Sequence, residues 1–344
     1  MRQAVIVGAT GAVGEDLRRI AAERELPVDR VRMLASARSV GRRIPFRGEK
    51  VEVEPLVPEA FDGAAIAFFS AGGATSREWA PVAAARGAVV VDNSSAWRMH
   101  PQVPLVDADV NPEAARDRPI GIVANPNCTT LTITPVLRVL RDLYGLLAIT
   151  PTSFQAAGGS GQRGMDELVD QTAKLVGDRE LLRRGGRREA LPAGEVFPHT
   201  LAFNVVPQCM GFDGSGYTLE ELKLQNEPRK ILSLPDLQSH PTCVRVPVMV
   251  GHSVSLRAVC ARPVDVDALR SALSATPGVT VVDDPAGGAY PTPLECAGTN
   301  GVFVGRIRAD LADENAVMLW SVADNLRKGA ALNALQIGEV VLAQ

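Results

Sequence analysis

The chain has 344 residues, 46% hydrophobic and 22% charged, with a formal net charge of −3. That length suits about two domains of ~100–200 residues each, with the balance of an ordinary globular enzyme. A weakly negative chain without a dominant basic run excludes nucleic acid and an anionic membrane surface as expected partners.

The five cysteines are widely spaced and form no CxxC pair, so neither a zinc site nor a disulfide framework is expected, and no metal is assigned. No leader-like stretch precedes the first strand, and no apolar run reaches the ~18 residues of a membrane span. A reducing cytoplasm is the expected location.

Gln3 to Val7 reads as a strand, followed by Gly8–Ala9–Thr10–Gly11–Ala12–Val13–Gly14 and a helix from Glu15 to Arg24. Strand, glycine turn and helix form the context in which a dinucleotide pyrophosphate meets a helix N-terminus. The competing reading is a merely structural turn. The second strand, Val31 to Leu34, runs into Ala35–Ser36–Ala37–Arg38–Ser39 with no acidic residue for a ribose hydroxyl. An arginine between serines suits a 2′-phosphate, so NADP is expected over NAD, against the alternative of a solvated loop arginine.

Strands continue at Ala64–Phe69 and Ala88–Val91, with a helix from Ser76 to Ala85 between them. This alternation predicts a doubly wound parallel sheet with ligands at the C-terminal strand ends. Three such ends are polar or glycine-rich: Ser70–Gly73, Ser94–Arg98 and Asn127–Cys128. At the last of these, an apolar run from Ile120 to Ala124 stops at Asn125–Pro126–Asn127, and a helix is expected from Thr129 to Tyr144. Cys128 therefore stands at a strand-to-helix junction, where a helix N-terminus favours the thiolate. Two local readings compete, a buried core thiol and a nucleophile.

Beyond Tyr144, a strand at Leu147–Thr150 leads through Ser153–Phe154–Gln155 into the glycine loop Ala157–Gly161, then a helix from Met165 to Val176. Gly158 and Gly159 could approach a cofactor or simply make a tight turn. Gly177 to Ala193 reads as a polar excursion, with Arg183–Arg188 a solvated loop. A helix is expected from Thr218 towards Leu232; Glu220 and Lys223 share a face, as a surface ion pair does. Thr242 to Ser253 reads as a strand with Val244, Val246 and Val248 on one face and Arg245 on the other, broken at Gly251 before His252. Such a face is either a carboxylate-plus-base surface or a half-exposed sheet face. Strands near Val254–Val259 and Val302–Arg308, with a helix at Val266–Leu273, indicate an α+β domain with a mixed or antiparallel sheet. Ser321 to Leu342 reads as a closing helix.

Taken together, Gly8–Gly14, Asn125–Thr130, Ser153–Gln155, Glu220–Lys223, Cys243–Ser253 and Asp324–Asn333 resemble the aspartate-semialdehyde dehydrogenase family, in that family's order. The resemblance implies an NADP-binding domain over residues 1–127, completed by a C-terminal helix 325–344, and a catalytic and dimerisation domain over 128–324. It implies reversible reductive dephosphorylation of 4-aspartyl phosphate to aspartate 4-semialdehyde, in the pathway to lysine, threonine, methionine and isoleucine. Cys128 would be the nucleophile, His252 a proton shuttle and Gln155 a positioning group. Arg245 would take the substrate carboxylate and Glu220 its amino group. Arg98, Lys223 and Asn127 would bind phosphate. Gly8, Thr10, Gly11, Ala12, Val13, Ser36, Arg38, Ser39, Ser70, Gly72, Gly158, Gly159 and Asn325 would line the cofactor. A homodimer or dimer of dimers is implied. N-acetyl-glutamyl-phosphate reductase, an erythrose- or glyceraldehyde-phosphate dehydrogenase and a catalytically inert nucleotide-binding relative are the competing readings; an inert relative should lack Cys128, Arg245 or His252, and all three are present.

Overall fold

The computed structural model describes residues 2–186, 189 and 191–343. They divide into two units, Met1–Thr134 with Asn226–Pro235 and Leu326–Gln344, and Pro135–Gln225 with Asp236–Asn325.

The first unit holds β1 (Gln3–Val7), α1 (Ala12–Glu23), β2 (Arg30–Ala35), β3 (Arg43–Phe46), β4 (Glu49–Pro55), β5 (Ala64–Phe69), α2 (Gly73–Ala85), β6 (Val89–Asp92) and β7 (Ile122–Ala124). Its seven-stranded sheet runs β3-β4-β2-β1-β5-β6-β7. Every neighbouring pair is parallel except β3 and β4. Parallel strands are covered on both faces, which is why β1 and β5 read as unbroken apolar runs. The β3–β4 hairpin was not anticipated from the sequence. Its turn is Arg47–Gly48, both at positive φ (49° and 82°), as a two-residue primed turn requires. α3 (Cys128–Tyr144) follows β7 directly.

The second unit is built on β8 (Leu146–Gln155), followed by α4 (Gly161–Leu175), α5 (Arg179–Arg184) and α6 (Leu219–Ile231). Then come β9 (Gln238–Ser239), β10 (Thr242–Arg245), β11 (His252–Cys260), α7 (Val266–Ser274), β12 (Val279–Val281), α8 (Pro293–Cys296), β13 (Val302–Ala309) and β14 (Ala316–Ala323). Its sheet is mixed, ordered β10-β8-β11-β14-β13-β12 with β9 beside β8. The long central strands β8, β11, β14 and β13 are antiparallel; β10 joins β8 in parallel, pairing Arg245 with Gln155.

Three expectations are corrected. The segment Ser321–Leu342 is not one helix. Ala316–Ala323 is a strand, Arg327–Leu332 is a π-helical turn, and only α9 (Asn333–Leu342) is α-helical. The break falls at Asp324–Asn325, whose side chains accept backbone N–H groups from Gly298 (2.7 Å) and Gly251 (2.9 Å) and so compete with helix formation. Thr242–Ser253 is likewise two strands, interrupted around Pro247, which has no N–H to give a ladder. Within β10, Arg245 lies on the face opposite Val244 as expected, and it is that face, with Cys243, that is buried. The arginine-rich loop begins as a helix through Arg184; Arg187 and Arg188 lie outside the described residues.

In the first unit, Ile6, Leu17, Ile20, Met33, Ile66 and Phe68 form the core together with Leu332, Leu335 and Ile337 from the chain end. Each such side chain contributes about 1.5–3 kcal/mol when fully buried. Gly338 brings α9 close to the sheet: a Cβ there would lie 2.6 Å from Phe68 Cζ.

Candidate active site

Three glycines of the first turn have different jobs. Gly8 sits at φ +86°, and a Cβ on it would overlap the Ser70 carbonyl. A Cβ on Gly14 would overlap the Gly8 carbonyl, so Gly14 lets α1 lie against the turn after β1, while Gly8 lets that turn pass the end of β5. Gly11 is different: a Cβ there would meet only Gly8 O, at an ordinary 3.5 Å. Packing does not require that glycine, but close approach of a ligand to the N-terminus of α1 does. Beside it lies a cavity of about 560 Å³ lined by Gly8, Ser36, Ala37, Val40, Leu56 and Ala71, among others. Ser36 and Arg38 are exposed on the loop after β2, whereas Ser39 is buried and its Oγ accepts from Thr10 Oγ1 at 3.3 Å. The donor set fits a dinucleotide: backbone amides at a helix start, small residues along the cavity, and the exposed Arg38 on the loop after β2. Gly11→Ala is expected to leave the thermal midpoint unchanged while raising the Michaelis constant for the cofactor about tenfold; Gly14→Ala should instead cost about 1–3 kcal/mol of stability. Denaturation curves and cofactor titrations on the two variants separate these outcomes.

At the end of β7, Asn127 is the N-cap of α3. Its Oδ1 accepts from Thr129 N at 2.9 Å and Thr130 N at 3.4 Å. That cap makes Cys128 the first helical residue, with its thiol half-buried at the positive end of the helix. The contrast with other cysteines is direct. Burial pushes the Cys260 and Cys296 thiols up to about 11 and about 12, and raises Cys243 too, keeping them protonated and inert.

The loop before Cys128 is clamped by Arg98, expected as a phosphate ligand, together with Glu227 and Lys230, which the sequence pattern did not single out. Glu227 is 1% exposed; its Oε2 accepts from Asn127 N at 2.7 Å and its Oε1 from Arg98 Nη1 at 3.0 Å. Arg98 also donates through Nε to Asn125 O and through Nη2 to Asn93 O, both at 2.9 Å. Lys230 donates to the carbonyls of Arg98, His100 and Val103 at 2.7–3.0 Å. From the chain end, Asn333 Nδ2 donates to Asn125 Oδ1 at 2.6 Å, and Lys328, fully buried, pairs with Asp107 and Asp109. The sequence offered no spacing that ties Glu227, Lys230, Lys328 and Asn333 to their partners, which lie a hundred or more positions away.

The second unit gathers its own polar cluster at the end of β8. Gln155 is buried and its Nε2 lies 3.2 Å from both Ser153 Oγ and Glu220 Oε1. Glu220 is buried rather than surface-exposed, and its Oε2 accepts from Lys223 Nζ at 2.8 Å. Arg245 Nη1 donates to Ala156 O at 2.7 Å, and the guanidinium lies over the Phe197 ring at 5.8 Å. Ala156 N donates to His252 Nδ1 at 3.1 Å. Burial, with Arg245 adding to it and Glu220 opposing it, lowers the His252 pKa to about 3, so the ring is neutral. Gly159 sits tight against this pair: a Cβ there would be 2.8 Å from Arg245 Nη1 and 3.1 Å from His252 Nε2. A Cβ on Gly158 would meet Met249 O at 2.8 Å and Asn325 Nδ2 at 3.5 Å.

Within one cluster stand a cation, a carboxylate, an amide and an imidazole. That set can hold a small molecule bearing both a carboxylate and an ammonium group. Among the described residues no group of His, Cys, Asp and Glu has the arrangement of a metal site, and no helix is long and apolar enough to cross a membrane.

Two family models match the chain: "Semialdehyde dehydrogenase, NAD binding domain" over residues 3–118, and "Semialdehyde dehydrogenase, dimerisation domain" over residues 137–328. An aspartate-semialdehyde dehydrogenase of Streptomyces akiyoshiensis is 49% identical over 341 residues, covering 98% of each chain. That of Bacillus subtilis is 43% identical over 336 residues, covering 97% of this chain and 95% of its own. Among solved structures, aspartate semialdehyde dehydrogenase II of Vibrio cholerae complexed with ASA aligns with a TM-score of 0.93 at 39% identity, covering 100% of this chain and 99% of that one.

Proposed function

Because the chain belongs to the aspartate-semialdehyde dehydrogenase family, an enzyme family with a nicotinamide-nucleotide domain, we propose that it interconverts L-4-aspartyl phosphate and L-aspartate 4-semialdehyde with NADP. The observation that carries the substrate is the buried grouping of Gln155, Glu220 and Arg245 around the end of β8.

In the reductive direction the Cys128 thiolate attacks the acyl phosphate carbonyl and expels phosphate, leaving a thioester. A bound reduced nicotinamide supplies the hydride. The resulting thiohemiacetal collapses, the C–S bond breaks, and the semialdehyde leaves with the thiolate restored. Arg245 takes the α-carboxylate as a fork, Glu220 the α-ammonium, and Gln155 orients the carbon chain. His252 serves the substrate oxygen. Arg98 and Lys223 bind the phosphate; Arg98 does so with the N–H groups its clamp leaves over, while Asn127 acts mainly by capping α3. Gly11, Thr10, Ser36, Arg38 and the cavity beside them hold the adenosine half of NADP, and Gly158, Gly159 and Asn325 line the nicotinamide. The reaction would feed lysine, threonine, methionine and isoleucine synthesis in the cytoplasm, with the enzyme working as a homodimer or dimer of dimers.

The test is one spectrophotometric assay. Aspartate semialdehyde, phosphate and NADP should yield NADPH, with NAD at least tenfold poorer and Arg38→Ala narrowing that gap. Equal or faster turnover of N-acetylglutamate semialdehyde would refute the substrate, and equal use of NAD would refute the role of Arg38.

A further inference from the structure

Residues 191–205 form neither helix nor strand, so side chains must place them. The carboxylate of Glu167, on α4, gathers this segment. Its Oε2 accepts from Glu195 N at 2.8 Å and Val196 N at 2.7 Å, and its Oε1 from Phe197 N at 3.2 Å. Three successive amides turned to one point make a concavity that ordinarily takes an anion, and here the chain fills it with its own carboxylate. A Cβ on Gly194 would overlap Glu167 Oε1, so that glycine lets the loop close on the carboxylate. One turn further along α4, Gln171 donates to Glu167 Oε1 at 3.2 Å and accepts from Leu201 N at 2.7 Å and Ala202 N at 3.2 Å.

What this grip delivers is Phe197. Its ring is buried in a small core with Leu168, Leu201 and Val206, and a Cβ on Gly164 would stand 3.1 Å from its Cζ. At the far end of the loop, Val206 and Arg245 exchange backbone hydrogen bonds of 2.8 and 2.9 Å. The Arg245 guanidinium lies over the Phe197 ring at 5.8 Å, within the reach of a cation–π contact. Its Nη1 is committed to Ala156 O at 2.7 Å, and the guanidinium makes no other hydrogen bond among the described residues. With one face on an aromatic ring and one corner on a carbonyl, its plane is fixed, and the edge formed by Nε and Nη2 is left for a ligand.

We propose that Glu167 is a positioning residue for substrate selection: through the amides it gathers, it sets Phe197 over Arg245 and so fixes the guanidinium plane that receives the α-carboxylate. This rests on the reading of the reaction given above, in which Arg245 takes that carboxylate. Glu167 acts through Phe197, and Phe197 through Arg245, so neither has a part in the covalent steps at Cys128. A guanidinium already held in plane gives up little freedom when a carboxylate forks onto it. Loosening it weakens recognition of the acid and leaves the steps at the aldehyde carbon alone.

The test compares two aldehydes that differ by that carboxylate alone, aspartate semialdehyde and 3-aminopropanal. In Phe197→Leu, which keeps an apolar side chain in the small core, kcat/KM for aspartate semialdehyde should fall about tenfold through KM, with kcat within about twofold. 3-Aminopropanal has nothing for Arg245 to hold and should lose less than about twofold, so the preference for the acid shrinks. Glu167→Ala should do the same, and Glu167→Gln, whose amide oxygen still accepts from the loop, should recover part of the preference. A merely structural role would slow both aldehydes equally. An unchanged preference in Phe197→Leu, or an equal loss for both aldehydes, overturns the proposal, and this variant decides even where Glu167→Ala fails to fold. If the wild type oxidises neither aldehyde, the reaction falls, and calorimetric binding of L-homoserine against 3-amino-1-propanol makes the same comparison. A preference for homoserine that Phe197→Leu lowers about tenfold then supports the positioning role. No such preference in the wild type, or one that Phe197→Leu leaves unchanged, overturns it.

Discussion

Replacing Cys128 with alanine is expected to lower NADPH formation from aspartate semialdehyde by about four orders of magnitude or more, with little change in stability. The size of the loss follows from the kind of bond at stake. Phosphate can attack a thioester, whereas without the sulfur no acyl intermediate forms and the hydride has no tetrahedral donor. Stability should move by less than about 1 kcal/mol, because the side chain is half-buried and small. The same variant should lose the fast phase of alkylation by iodoacetamide, since the remaining cysteines are buried. Cys128→Ser is the sharper control. Its oxygen keeps the shape and the helix end but is a poorer nucleophile and a poorer leaving group, so activity should stay within about tenfold of the alanine variant. Retention of more than about one-hundredth of wild-type turnover by the alanine variant would mean that another group makes the covalent bond.

The second large effect is expected at Glu227. Truncation to alanine removes the partner of a guanidinium that is itself buried, and leaves Asn127 N without its acceptor. Breaking a buried ion pair from one side costs about 3–5 kcal/mol, because the remaining charge is left uncompensated. Activity should fall with stability, by about 10²-fold at temperatures where the variant is still folded, since the loop that sets Cys128 at the start of α3 loses its anchor. Glu227→Gln separates the two contributions. Its amide oxygen can still accept from Asn127 N, so most of kcat should survive. Arg98 loses its counter-charge, and the Michaelis constant for phosphate should change by more than kcat does. Urea unfolding of both variants, with initial rates at varied phosphate, reads these quantities. An alanine variant destabilised by less than about 1 kcal/mol would show that the clamp is not what holds the loop.

What the sequence disclosed, and what it hid, divides by range. The glycine turn after β1 and the strand–turn–helix around Cys128 are local patterns, in which a few adjacent residues carry both the geometry and the chemistry. The alternation of β1, β2, β5, β6 and β7 with α1 and α2 was visible for the same reason. The β3–β4 hairpin escaped because its turn is Arg47–Gly48 and not one of the common glycine or asparagine pairs. The end of β14, Ser321–Ala323, was read as the start of the closing helix because its residues suit either state, and only the strand's pairing with β11 and β13 decides the matter. Arg245 was read on the face opposite Val244, where it lies, but that this face is the buried one could not be told from the alternation alone. Glu220 read as a surface ion-pair partner, since burial of a carboxylate depends on Gln155, 65 residues away. Glu227 and Asn333 act through partners 100 and 208 residues distant, which no spacing rule can detect. The donor to His252 is a main-chain amide, a group that every residue but proline possesses, so no residue type marked it.

That shared residue, Ala156, gears two properties together. Its carbonyl is held by Arg245 and its amide holds His252. Selection or design acting on Arg245 to admit a different acid would release one end of Ala156, and its other end sets the imidazole. A change of diet would therefore arrive with a change of chemistry. Lineages or libraries that reach a new substrate should do so through Glu220 and Gln155 first, leaving the arginine until the main chain between them has been braced some other way.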